Sequence, residues 1–279
     1  MAQQVAKGNV FITGAAAGIG AAATRRLADA GYRVFAGVHQ EVGSLAGIRG
    51  VQPVAIDVTD PVSVENAAKV VEEATGRSGL RAVINNAGVI VQGPLELVPP
   101  EELRRQFEVN TFGPMHVIQA FLPMVRTGKG RIINISAPTA RVPIPFSPIG
   151  ASKVALESFS DSLRLELDAW SIPVSVIAPG GTDTAIFRKA DTAAQAALAA
   201  TDPAKVALYS DQLAAVATAT AKQKLGPADA VAKAIVAVVG TRKPKRRYTA
   251  GSGAAIFAVL AHLPTGVRER LIKTVLGLG

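Results

Sequence analysis

Short apolar runs rich in β-branched residues alternate along the chain with longer segments whose apolar residues recur every three or four positions. Asn9–Thr13, Arg33–Val38, Val54–Asp57, Arg81–Gly88, Arg131–Ser136, Val174–Ala178 and Arg247–Ala250 read as seven strands. The Ala-rich stretch from Gly20 to Gly31, the run from Asp60-Pro61 to about Thr75, residues from about Pro100 to Met124 and residues 151–170 read as helices. Along the last of these, Leu156, Phe159, Leu163, Leu167 and Trp170 share one face, which is expected to be buried. Strands alternating with helices predict an α/β, Rossmann-type doubly wound parallel sheet of about seven strands, helices on both faces, with ligands at the carboxyl ends. No repeat or linker interrupts the pattern, so one domain over residues 1–279 is expected.

Two segments depart from the alternation. Residues 185–225 hold two Ala-rich helical stretches with few charges, which suit either a substrate lid or plain packing helices. Residues 251–279 form an amphipathic extension with a basic face. Capping the cleft, packing on a partner subunit and weak contact with a membrane surface all remain open for it.

Composition narrows the classes. Apolar residues make up 49% of the chain and charged residues 18%, enough apolar surface for a substantial core. The absence of cysteine excludes disulfides and thiolate metal sites. His39, His116 and His262 are scattered without metal-ligand spacing, so no metal is expected. No apolar run approaches a membrane span, and the first residues are too polar for a signal peptide, which together predict a cytoplasmic protein. The net charge of +9 is concentrated in Arg242, Lys243, Lys245, Arg246 and Arg247 and in Arg268, Arg270 and Lys273. Without interleaved aromatics these clusters do not point to nucleic acid.

The candidate chemistry begins at TGAAAGIG, where Gly14, Gly18 and Gly20 sit between a strand and a helix. Glycines there let backbone approach a pyrophosphate, while the helix N-terminus supplies unpaired N–H groups. The second strand ends in Val38 and His39 instead of the carboxylate that binds a ribose 2′-hydroxyl. That missing repulsion tips the expectation from NAD(H) toward NADP(H).

With TGAAAGIG, the NNAG of Asn85–Gly88, Asn110, the ASK ending at Lys153 and the Pro179–Thr184 turn in this order, the chain resembles the short-chain dehydrogenase/reductase family over about residues 5–240. The segments beyond the sheet are similar to those of its retinol and hydroxysteroid dehydrogenase branch, which implies a lipophilic alcohol or ketone as substrate. By resemblance, Thr13, Gly14, Gly18, Ile19 and Gly20 would hold the pyrophosphate, and His39 would lie at the adenosine ribose. Asp57 and Val58 would meet the adenine, and Asn86, Ala87 and Gly88 the adenosine side. Pro179, Gly180 and Thr184 would border the nicotinamide. Lys153 would bind its ribose, Asn110 would hold a relay water, and a serine on the fifth strand, Ser136, would orient the substrate oxygen. The resemblance also implies a homo-oligomer.

One family residue is missing. Four positions before Lys153 stands Ile149, where the family has its catalytic tyrosine, and SPIGASK reads as a family segment with that tyrosine deleted. Counted forward from Arg131, the serine position falls on Ala137; counted back from Ile149, it falls on Ser136. Three readings follow: an oxidoreductase with altered proton transfer, a catalytically silent or deliberately inactivated nucleotide-binding homologue, or a non-redox enzyme on the same scaffold.

Overall fold

The computed structural model describes residues 6–278. Seven strands, β1 (Asn9–Ile12), β2 (Arg33–Val38), β3 (Val51–Ala55), β4 (Ala82–Asn85), β5 (Ile132–Ile135), β6 (Val174–Pro179) and β7 (Arg247–Ala250), form one parallel sheet in the order β3-β2-β1-β4-β5-β6-β7. The order reverses between β1 and β4, which opens a crevice at the carboxyl ends of those two strands. β1, β4 and β5 are buried at every position, as strands of a sheet covered on both faces should be, and the one asparagine in each, Asn9, Asn85 and Asn134, is hydrogen-bonded.

The helices preceding β7 are α1 (Gly18–Asp29), α2 (Pro61–Thr75), α3 (Pro100–Phe107), α4 (Gly113–Thr127), α5 (Ile149–Glu166), α6 (Ala185–Ala199), α7 (Pro203–Ala207), α8 (Ser210–Ala221) and α9 (Ala228–Gly240). α10 (Ala254–Leu260) and α11 (Thr265–Leu276) follow it. α1 and α9 cover one face through Leu27, Val231, Ile235 and Val238 over Val10, Ile12, Val34 and Ile84. α2 and α4 cover the other through Val64, Val71, Val117 and Phe121 over Phe11, Phe35 and Val83. There Phe11 and Phe121 stack with centroids 4.1 Å apart.

Several expectations need correction. β3 starts three residues earlier than expected and includes Pro53, tolerated because β3 is the sheet's edge. The expected helix from Pro100 to Met124 is interrupted by a π-helical turn over Glu108–Phe112. In a regular helix the N–H of residue 114 would bond the carbonyl of Asn110, but Pro114 has no N–H. The turn widens instead, and Gly113 N donates to the Glu108 carbonyl.

The buried face of α5 matches the expected one only in part: Leu156 and Leu167 are buried and Leu163 packs on the core. That face carries Ser152, Lys153, Leu156, Glu157 and Ser160, while Phe159 and Trp170 are exposed. Polar residues that point at the carboxyl ends of the strands have taken the inward positions. Trp170 lies under the guanidinium of Arg126, at 4.5 Å from its ring centroid. Residues 185–225 form three helices, not two, because Asp202 caps a fresh turn at Pro203.

Candidate active site

The Gly-rich turn is shaped by positions that exclude a side chain. Gly14 and Gly18 have φ of +64° and +53°, where a Cβ is strained. A Cβ on Gly20 would stand 2.1 Å from the Gly14 carbonyl oxygen. α1 then begins with Ala17 as its N-cap residue, which makes no side-chain cap bond, and no acid lies in its first turn. Its leading N–H groups are therefore available to an anion.

The NNAG segment braces this turn. Thr13 Oγ1 accepts from the backbone N of Asn86 and of Ala87, each at 3.0 Å. Asn86 Nδ2 donates to the carbonyls of Thr13 at 2.9 Å and Gly14 at 3.1 Å. The Thr13 hydroxyl oxygen thus braces the loop by accepting two backbone bonds. Ile19 is half-buried behind it.

At the end of β2, His39 is exposed, with Nδ1 3.6 Å from Asp57 Oδ2. Burial works against ionisation of Asp57, but bonds from the Thr59 hydroxyl and N–H outweigh it and hold the carboxyl below its usual range. Val58 packs where a Cβ on Gly113 would be, 2.9 Å away. Sequence reasoning missed Arg25 and Ser44 here: Arg25 donates to the Ser44 carbonyl and hydroxyl, fastening the loop after β2 to α1. No spacing signals that pair.

On the opposite side, Pro179 ends β6 and Gly180 N donates to the Ala250 carbonyl at 2.7 Å. A Cβ on Gly180 would stand 2.0 Å from the Ser252 carbonyl oxygen. The turn continues to Thr184, whose Cγ2 lies 3.0 Å from where a Cβ on Gly18 would be. The Gly-rich turn and the start of α6 therefore face each other.

The remaining candidates converge from β4, β5, α5 and the π turn. Asn110 Oδ1 accepts from Val89 N, and its Nδ2 donates to the Val89 carbonyl, both at 2.9 Å, and to Ser152 Oγ at 3.2 Å. Lys153 is buried, and its Nζ donates to the Ile135 carbonyl at 2.8 Å. Gly88 lies between the two: a Cβ there would be 3.2 Å from Asn110 Oδ1 and 3.8 Å from Lys153 Nζ. Burial lowers the Lys153 pKa to about 8, partly opposed by the charge of Glu157 one turn later.

Ser136 faces elsewhere. Its hydroxyl donates to Glu157 Oε1 at 2.6 Å, while Glu157 Oε2 accepts from Arg141 at 3.3 Å and from Arg247. Glu157 was missed, although its place four residues after Lys153 on one helix was a visible signal. Ile149 opens α5 and is buried. None of the three tyrosines bonds to Lys153. Tyr209 donates to Glu96 Oε2 at 2.7 Å, Tyr248 Oη accepts from Lys245 N at 2.6 Å, and Tyr32 Oη lies beside Gly240. No cluster of potential metal ligands occurs among the described residues.

Known proteins resemble the chain in sequence and in fold. The chain is 35% identical to a 3-amino-tetrahydro-pyrrolizinone reductase of Xenorhabdus hominickii over 65% of its own length and 64% of that protein. It is 33% identical to human 17-beta-hydroxysteroid dehydrogenase type 2, over 95% of its own length and 72% of that protein. A crystal structure of a short-chain dehydrogenase from Burkholderia cenocepacia in complex with NADP superposes with a TM-score of 0.75 at 27% identity, covering 96% of this chain and 99% of that one. Residues 8–195 match the short chain dehydrogenase family model. With its sheet order, Gly-rich turn and buried lysine in place, the chain belongs to the short-chain dehydrogenase family.

Proposed function

We propose that the protein is a nicotinamide-dependent oxidoreductase of a lipophilic alcohol or ketone, using NADP(H) in preference to NAD(H), with proton transfer altered by the loss of the family tyrosine. The cofactor's part is to give or take the hydride. What supports a nucleotide in the crevice is a tight turn closed to any Cβ at Gly20, uncapped N–H groups on α1, and Lys153 beside Gly88. The turn at Gly14, Gly18, Ile19 and Gly20 would carry the pyrophosphate, braced by Thr13 and Asn86. His39, Asp57 and Val58 would line the adenosine end with Ala87, and Pro179, Gly180 and Thr184 the nicotinamide end. A lipophilic substrate fits the few charges of α6–α8, which would close over it as a lid.

The observation that carries the altered chemistry is the pairing of an intact Lys153 and Asn110 with Ile149 at the head of α5. A carbonyl oxygen needs a proton as its carbon is reduced, and isoleucine has none to give. Lys153, lowered to about 8, exchanges protons near neutral pH. With Asn110 on the same side of the cleft, it is the group best placed to take over. A silent nucleotide-binding homologue is the second reading, favoured by Ser136: a hydroxyl held by Glu157 is not free to orient a substrate.

Titration with NADPH and NADH, followed by turnover of a panel of lipophilic ketones, tests the proposal. A variant with tyrosine inserted between Ile149 and Gly150 runs beside it. The chain as it stands is expected to bind NADPH more tightly and to turn over slowly. The insertion should raise turnover by about 10²–10⁴-fold. Binding without any turnover in the native chain, with activity only in the insertion variant, selects the silent homologue. No binding of either nucleotide sinks both readings.

A further inference from the structure

The C-terminal helices carry an apolar surface that the fold leaves uncovered. α11 turns Arg268, Ile272 and Leu276 toward the molecule, where α8 packs against it and Arg268 donates to the Arg141 carbonyl at 3.2 Å. About 100° around the helix, given its pitch, lies a second stripe at the same four-residue spacing. It consists of Val267, Leu271 and Val275, exposed by 50%, 43% and 77%. On neighbouring α10, Ile256 and Val259 are exposed by 64% and 65%. Five of the fifteen large apolar side chains exposed among the described residues thus fall on these two short helices. Such a concentration marks an interaction face, whereas scattered exposed residues would need no explanation.

Charge says what the face meets. Helical geometry places the stripe between Arg268 and Arg270, and the segment holds Arg268, Arg270 and Lys273 against a single acid, Glu269. Two copies meeting through this helix would bring these same cations together. An apolar stripe edged by cations complements a surface that is anionic outside and apolar a few ångströms in.

We propose that α11 docks on the headgroup region of an anionic lipid bilayer, with Val267, Leu271 and Val275 inserted and Arg270, at the edge of the stripe, at the phosphates. The inference deepens the reading of a lipophilic substrate. α11 packs on α8, so docking would set the lid helices beside the phase in which such a substrate dissolves.

The test is co-sedimentation of the full chain with vesicles of phosphatidylcholine alone or with about one third phosphatidylserine, at low and physiological salt. Binding is expected only with phosphatidylserine, and it should weaken as salt rises. Leu271→Asp with Val275→Asp should abolish it. Arg270→Gln, which leaves the stripe intact, should weaken it about fivefold, and Lys273→Gln, on the far side of the helix, should weaken it less. Equal partitioning onto both vesicle types, or binding unchanged by either pair of variants, overturns the proposal. So does a native oligomer that Leu271→Asp dissociates without any vesicle binding, which would assign the stripe to a second copy. Nucleotide titration of the same samples separates this outcome from failure of the oxidoreductase reading, because vesicle binding requires neither cofactor nor substrate.

Discussion

Lys153 is the residue on which the proposed chemistry turns. A lysine ammonium is strongly hydrated, and taking it out of water with a single carbonyl partner favours the neutral amine. Its folded pKa of about 8 lies below the ordinary lysine value of 10.5, so between these two values the unfolded chain binds more protons than the folded one. Stability should therefore rise with pH across that window, a gain absent below about pH 8 and complete above about pH 10.5. Thermal unfolding of cofactor-free protein against Lys153→Met should show the native chain gaining on the variant by about 1–3 kcal/mol over this range. The same substitution should weaken NADPH binding, read by titration at pH 7. This lysine was legible from its ASK context. Its isolation from any tyrosine was legible too, because a deletion shows in a count of residues. The fate of Ser136 was not: a serine at a strand end carries no sign of which neighbour it will bond, and Glu157 reached it from another element.

At the scale of elements, polar side chains decide where helices end and how they seat. Arg131, buried at the head of β5, donates through Nη1 to the carbonyls of Val238 at 2.6 Å and Thr241 at 2.7 Å, closing the C-terminus of α9. Burial lowers its pKa to about 10, which still leaves it charged at neutral pH. Arg131→Met should cost about 2–3 kcal/mol in denaturant unfolding, since two charge-assisted bonds are lost and the last carbonyls of α9 stay orphaned. The strands were readable because central strands covered on both faces are predominantly apolar and β-branched. α5 was not readable in the same way. Its inward face mixes Leu156 with Ser152, Lys153, Glu157 and Ser160, so an apolar stripe finds Leu156 and Leu167 but adds Phe159 and Trp170, which are exposed. The π turn did have a signal in Pro114, whose missing N–H deprives Asn110 of its helical partner.

For the molecule as a whole, the exposed apolar side chains of α5 and its surroundings predict self-association. Phe112, Val154, Phe159, Leu165 and Trp170 are all exposed, Leu165 by 81%. Sedimentation velocity over a dilution series should show an oligomer, and Leu165→Asp should shift it toward monomer at least tenfold in concentration, since a charge would then be buried without a partner. A species that stays monomeric at every concentration would refute the assembly. No helix among the described residues is long and apolar enough to cross a membrane.

The approach of Thr184 to Gly18 bears on kinetics. The first turn of α6 closes against the very loop that would cradle the pyrophosphate, so the two ends of the cleft share one wall. A dinucleotide lying along that wall becomes part of the floor on which α6 rests, and a second ligand arriving above it finds its pocket already built. Were the smaller molecule to enter first, it would meet a half-made pocket and hinder the larger one from seating. The two ligands are then not interchangeable in time: for the proposed activity, initial-rate and product-inhibition kinetics are expected to show a compulsory order, with the nucleotide first on and last off.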